Sequence, residues 1–220
     1  IRNIKPGDYV VLAGGRTGHD GIHGVTFASI ELSEESEETS RSAVQIANPI
    51  EEEKIKRAIK QISDQKLGSG ITDIGGGGLS CGVCETAERY GLGVDAYLDR
   101  VPLKAEDMAP WEIWISESQE RMLLAVPPEN LDKVLEIFCD EQVEATVLGQ
   151  YTESKHAKLF FNEEQIGDLV LEALFNPPKL YRTTNWKPPV MNDPEIEVSR
   201  PLVEVLLKLL SSYNICSKEK

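Results

Sequence analysis

The sequence predicts an α+β fold, a mixed β-sheet with helices packed against it. Three observations lead there. Short runs rich in β-branched and aromatic residues recur between glycine and proline punctuation. Segments with apolar residues at helical spacing lie between some of them. Several strand runs also follow one another with no helix between, as antiparallel pairing permits and a parallel βα repeat does not.

Taken in order, "DYVVLAGG" (8–15) reads as a strand, and so does "GVTFASIEL" (24–32). "SEESEE" is a solvated loop, and "SAVQIANP" (42–49) a third strand, ended by Asn48-Pro49. "IEEEKIKRAIKQISDQK" (50–66) is a helix, because Ile55, Ala58, Ile59 and Ile62 share one face. "GITDIGGGG" (70–78) is a short buried strand running into four glycines, and "LSCGVCETAERYG" (79–91) a helix closed by Gly91. "GVDAYLDRVPL" (93–103) alternates as a strand does. "APWEIWISESQ" (109–119) begins a short helix with Pro110 in its first turn. "RMLLAV" (121–126) is a strand, "PPENLDKVLEIFCDEQ" (127–142) an amphipathic helix, and "EATVLGQY" and "AKLFF" the last strands. From Asn176 five prolines fall within 22 residues and periodicity disappears, which marks an extended linker over 176–198. "SRPLVEVLLKLLSS" then opens a helix with no partner in the sequence, so 199–220 reads as the start of a following domain and 1–175 as the main one. The start at Ile1 without a Met and the abrupt end fit a piece of a larger polypeptide.

Composition narrows the function. The chain has 220 residues and a net charge of −14. So acidic a surface argues against nucleic acid, whose binding needs clustered Lys and Arg. Four cysteines, at 81, 84, 139 and 216, are too sparse for a disulfide framework and point to a reducing compartment. No apolar run is long enough to span a bilayer, so no membrane partner is expected.

Four stretches could carry chemistry, and each also has a plain structural reading. "AGGRTGHDGIHGVTFAS" (13–29) holds five glycines, Arg16, His19 and His23. Its backbone N–H groups and basic side chains could meet an anion, or its glycines could only turn a wide hairpin. In "ITDIGGGGLS", Asp73 at the end of an apolar strand suits a Mg²⁺ ion that also binds substrate phosphates. It could equally cap a tight turn. If buried, its charge would need a compensating cation, and Asp73→Asn would leave folding equal or slightly favoured. Glu117, Ser118 and Gln119 in "SESQER" form a polar trio able to hold a ligand's hydroxyls and amide, or an ordinary turn. Gln45 is polar within an apolar strand, as a ligand contact or an edge residue. "CGVC" at 81–84 has metal-ligand spacing but no second pair, and packing explains it better.

"GGRTGHDGIHGVTFAS", "QIANP", "DIGGGGLS" and "SESQERMLL", in this order and spacing, resemble the synthetase subunit of the phosphoribosylformylglycinamidine synthase family across nearly the whole chain. The resemblance implies a domain like the C-terminal domain of aminoimidazole ribonucleotide synthetase, followed by the start of an ATP-binding-type domain. It implies an ATP-dependent ligase of purine biosynthesis. That reaction phosphorylates the amide oxygen of formylglycinamide ribonucleotide, and ammonia from glutamine then displaces phosphate. By the same resemblance Gln45, Glu117, Ser118 and Gln119 contact the ribonucleotide and Asp73 binds Mg²⁺. ATP is a co-substrate, and a glutaminase subunit and a small accessory subunit are partners, in the cytoplasm. The family's catalytic histidine lies in a preceding domain, so no catalytic residue is expected here. His23 is expected to order its loop. His19 stands where the family usually has Arg. Other ATP-dependent enzymes of the same superfamily, of the aminoimidazole ribonucleotide synthetase, selenophosphate synthetase or thiamine-phosphate kinase type, are the alternative, with a non-catalytic docking domain as a further one. Convergence of Asp73 and Glu117 on one cleft is the feature that favours a site.

Overall fold

The computed structural model describes residues 3–22, 48–190 and 201–216. The strand expected at 24–32 and residues 42–47 of the strand expected at 42–49, with Gln45 and His23, lie outside the described residues; Asn48 and Pro49, the last two of that run, begin a helix instead. The chain divides into two compact units, Ile1–Pro178 and Lys179–Lys220.

The first unit carries a mixed sheet of seven strands. In chain order its elements are β1 Tyr9–Gly14, α1 Pro49–Asp64, β2 Gly70–Asp73, α2 Gly78–Arg89, β3 Gly93–Tyr97, α3 Pro110–Ile115, β4 Arg121–Val126, α4 Leu131–Asp140, β5 Ala145–Thr152, β6 His156–Phe161, β7 Glu164–Val170 and α5 Leu171–Phe175. Their order across the sheet is β2-β4-β1-β5-β3-β6-β7. The β3–β6 pair is parallel and the other pairs are antiparallel.

Strand alternation puts apolar residues on both faces of the central strands. Val10, Leu12, Leu123 and Ala125 face one way and pack with Leu79, Val83 and Ala87 of α2 and Ile113 and Trp114 of α3. Val11, Ala13, Leu124 and Val126 face the other way and pack with Ile55, Ala58 and Ile62 of α1 and Val134, Ile137 and Phe138 of α4. Burying a side chain of this size is worth about 1.5–3 kcal/mol, so the two clusters hold the sheet between helices. α1 starts one residue earlier than its periodicity suggested. Asn48 is its N-cap, accepting from the Glu51 amide, and Pro49 takes the first turn.

Two further expectations need correction, and one strand went unforeseen. β2 is not a buried strand: its first three residues are only partly buried and Asp73 is exposed, because β2 pairs with β4 alone among the described residues. The run 93–103 leaves the sheet after Tyr97 and turns through a short 3-10 segment, Leu98–Arg100. β7 was not foreseen at all.

In the second unit, residues 179–190 have no regular structure and α6 spans Leu202–Leu210. Its apolar side chains, among them Leu202, Val203, Leu206 and Leu207, are exposed.

Candidate functional site

Strand register brings three of the motifs to one end of the sheet. Gly14 at the end of β1 pairs with Arg121 at the start of β4, and Asp73 at the end of β2 pairs with Met122. The glycine loop 15–22, the glycine run 75–78 and the turn 116–120 therefore leave the sheet side by side. A cavity of about 670 Å³ lies at the opposite end. Ile62, Ser69, Leu124 and Pro127 are among its lining residues, and no candidate residue is.

Beneath the loops lies a buried polar network. The Arg121 guanidinium, 2% exposed, donates to the Ser118 carbonyl (2.7 Å), the Ser116 carbonyl (2.6 Å) and Thr17 Oγ1 (2.9 Å). Burial lowers its pKa to about 10, with Asp20 opposing, so it stays charged at neutral pH. The Ser118 hydroxyl donates to the Asp20 carboxylate and accepts from the Gly18 amide at 2.9 Å. The Ser116 hydroxyl donates to the Gly18 carbonyl at 2.6 Å. Lys104 Nζ lies 2.6 Å from the Asp20 carboxylate. Partial burial pushes the Asp20 carboxyl up, but Lys104 and the Ser118 hydroxyl outweigh it and hold it below its usual value. The 101–104 segment is tied to the same loop, since the Thr17 amide donates to Pro102 O and the Lys104 amide to Thr17 O, both at 2.8 Å.

Glu117 stands on this base. Its amide donates to the Asp20 carbonyl at 2.7 Å, and its Oε1 accepts from the Gly77 amide at 2.8 Å. Two glycines make the approach possible. Gly21 has φ +65° and a Cβ there would fall 2.5 Å from Glu117 Oε2; Gly78 has φ +58° and a Cβ there would fall 2.0 Å from the Ser116 carbonyl oxygen. Gln119 is half-buried and donates to the Glu117 carbonyl at 3.0 Å. Ser118 is buried, with amide, hydroxyl and carbonyl all engaged within the protein.

Asp73 and Glu117 border the same glycine run: Asp73 Oδ2 lies 3.7 Å from the Cβ position of Gly75, and Glu117 Oε1 3.8 Å from that of Gly76. The Asp73 carboxylate makes no hydrogen bond or ion pair among the described residues. No group of three or more His, Cys, Asp or Glu side chains able to hold a metal occurs among them either. Such a donor set fits a Mg²⁺ ion bound largely through ligand phosphates, with Asp73 as a protein ligand. It does not fit an all-protein cage.

The remaining basic groups have other duties. Arg16 pairs with Glu144 at 2.8 Å on the surface, and His19 Nδ1 lies 3.5 Å from Glu112. Cys84 of the "CGVC" pair is buried, and its thiol is pushed up to about 12 by that burial. It is a packing residue. Thr17, Asp20, Lys104, Ser116 and Arg121 were not singled out from the sequence. The one available signal was a charged residue opening an apolar strand, Arg121 before "MLLAV".

A model of the family described as AIR synthase related protein, C-terminal domain, matches residues 5–162. The phosphoribosylformylglycinamidine synthase subunit PurL of Methanothermobacter marburgensis is 41% identical over 215 residues, 97% of this chain and 30% of that protein. The chain thus spans under a third of the length of this relative. Thermotoga maritima PurL complexed with FGAR superposes with a TM-score of 0.72 at 32% identity, over 87% of this chain and 32% of that one. The same protein complexed with ATP gives 0.68 at 28% identity, over 94% and 32%. PurLQS from T. maritima gives 0.69 at 28%, over 88% and 30%. These likenesses uphold the resemblance drawn from the four motifs, and the mixed sheet upholds the expected fold class. No helix among the described residues is long and apolar enough to cross a membrane.

Proposed function

Because the chain belongs to the AIR synthase related protein family, as its C-terminal domain, we propose that it is the ribonucleotide-holding part of a PurL-type phosphoribosylformylglycinamidine synthase. The whole enzyme would join ammonia from glutamine to formylglycinamide ribonucleotide at the expense of ATP. One observation carries this reading: three motifs far apart in sequence meet at one end of the sheet, where Asp73 and Glu117 border a common glycine run.

Within that reaction the chain binds and orients. Glu117 and Gln119, with Gln45, take the ribonucleotide's hydroxyls and amide, while Ser118 seats the turn between them. Asp73 holds Mg²⁺, which when bound screens the charge developing on the transferred phosphoryl group. No residue of this chain is assigned a covalent or proton-transfer step. Residues 1–175 form the domain, 176–198 a linker and 199–220 the start of an ATP-binding-type domain. A glutaminase subunit and a small accessory subunit supply the ammonia, in the cytoplasm.

The test is phosphate release by the full-length polypeptide with ATP and ammonia. Release should require formylglycinamide ribonucleotide, and Glu117→Ala should raise KM for that substrate about 10-fold or more, the cost of a lost charge-assisted contact. This chain alone should show no turnover. Release without the ribonucleotide, or an unaltered KM in Glu117→Ala, would refute the assignment.

A further inference from the structure

Glu117 sits on a turn, and a turn holds a side chain only as firmly as its backbone is held. The carbonyls immediately before and after Glu117 belong to Ser116 and Ser118. Both are gripped by the same guanidinium: Arg121 Nη2 reaches Ser116 O at 2.6 Å and Nε reaches Ser118 O at 2.7 Å. The third edge of that fork reaches Thr17 Oγ1 at 2.9 Å, which ties the turn to the 15–22 loop. The loop is tied in return. Asp20 accepts the Glu117 amide on its carbonyl at 2.7 Å and the Ser118 hydroxyl on its carboxylate, and Lys104 pairs with that carboxylate at 2.6 Å. The Lys104 chain lies over Gly18, where a Cβ would fall 2.3 Å from Lys104 Cε.

We propose that Arg121, Asp20 and Lys104 are positioning residues for the ribonucleotide site, setting substrate affinity by fixing the backbone that presents Glu117, without touching the substrate themselves. The inference rests on the reading of the 117–119 turn as a substrate contact. A planar fork holds two carbonyls in one geometry, which the single point charge of lysine cannot do. Asp20 carries the opposite charge between Arg121 and Lys104, so the three make one unit reaching from the core to the half-exposed Lys104 amine. None of them was expected to contact a ligand, and Lys104 lies outside every motif.

The experiment uses the full-length synthetase with formylglycinamide ribonucleotide, ATP and ammonia, reading KM for each substrate, kcat and Tm for Arg121→Lys, Lys104→Met, Lys104→Arg and Glu117→Ala. Displacement of a binding group by about 1 Å costs on the order of 100-fold at worst. Arg121→Lys should therefore raise KM for the ribonucleotide about 10- to 100-fold, with KM for ATP unchanged. Lys104→Met should raise it about 3- to 10-fold, a loss of one charge-assisted contact, with a modest fall in Tm because the Asp20 carboxylate loses a partner, and Lys104→Arg should restore the KM. A merely structural role would lower Tm and the active fraction while leaving KM alone. Should Arg121→Lys fail to fold, Lys104→Met and its rescue decide by themselves. An unchanged KM in folded Lys104→Met, or no rescue by Lys104→Arg, overturns the inference while Glu117→Ala keeps its effect. If Glu117→Ala also leaves KM unchanged, the substrate reading falls and the inference with it.

Discussion

Asp73 and Asp20 are two carboxylates at the same end of the sheet with opposite circumstances. Asp20 is buried against Lys104 and Ser118. Asp73 is exposed at the end of β2, and its carboxylate makes no hydrogen bond or ion pair among the described residues. A charge left in water has lost no hydration, so it has no desolvation cost to relieve. Of the two outcomes expected of Asp73→Asn, equal or slightly higher stability, exposure therefore selects equality, within about 0.5 kcal/mol, as for surface changes in general. Asparagine keeps the shape and one oxygen but loses the charge that would attract a divalent ion. In the full-length enzyme the change should cost on the order of 10²–10³ in rate, as the loss of a charge stabiliser does elsewhere. It should also raise the Mg²⁺ concentration needed for half-maximal activity. A thermal melt and a Mg²⁺ titration of rate check this. A folded variant with an unaltered Mg²⁺ requirement would make Asp73 an ordinary surface residue.

At the scale of elements, the β6–β7 hairpin shows what patterning cannot convey. Its turn is Asn162-Glu163, with φ of 50° and 67°. Two-residue hairpin turns of type I′ have both central residues in the left-handed region, and glycine is the usual second member. Glu163 is strained there, so Glu163→Gly should stabilise the chain by about 0.5–1 kcal/mol, less glycine's entropy in the unfolded state. A Tm rise of a few degrees would register it, and a fall would mean that the Glu163 side chain has a role of its own. β7 escaped sequence reading because six of its seven residues are exposed, leaving no alternation to detect. β4 was legible to the residue, since five of its six positions are buried and flanked by polar turns. The same logic divides the site. Glycine loops and the polar 116–121 run announce themselves in one dimension. The Arg121–Asp20–Lys104 unit does not, because its members come from three separate segments, and the burial of an arginine depends on carbonyls that only the folded backbone brings to it.

For the molecule as a whole, the sheet's burial on both faces has a consequence at alkaline pH. Tyr151 of β5 and Cys84 of α2 belong to one core cluster, each 1% exposed. The Tyr151 hydroxyl is buried and makes no hydrogen bond of good geometry among the described residues, although the Thr86 side chain lies close enough to oppose part of the rise in its pKa. Burial raises the phenol's pKa, and burial likewise raises the Cys84 thiol from 9.0 to about 12. A group whose folded pKa exceeds its unfolded value stabilises fully below the unfolded value and ceases to do so as pH rises through the folded one. For Cys84 that window opens above about pH 9, and for Tyr151 above about pH 10. Arg121, lowered to about 10, acts in the opposite sense over the same range, but it is one group against two. Stability should therefore decline from pH 9 upward. Tyr151→Phe isolates one contributor. It keeps the ring in the core and removes an oxygen that makes no hydrogen bond of good geometry, so at pH 7 the variant should be as stable as the parent or more so, the lost group having carried mainly a desolvation penalty. Above pH 10 the variant no longer exposes an ionisable phenol on unfolding, and its decline should be shallower. Urea midpoints at pH 7, 9 and 10.5 measure both effects. Parallel declines in parent and variant would show that the phenol ionises as readily folded as unfolded, and a large loss at pH 7 would show that its hydroxyl is bonded after all.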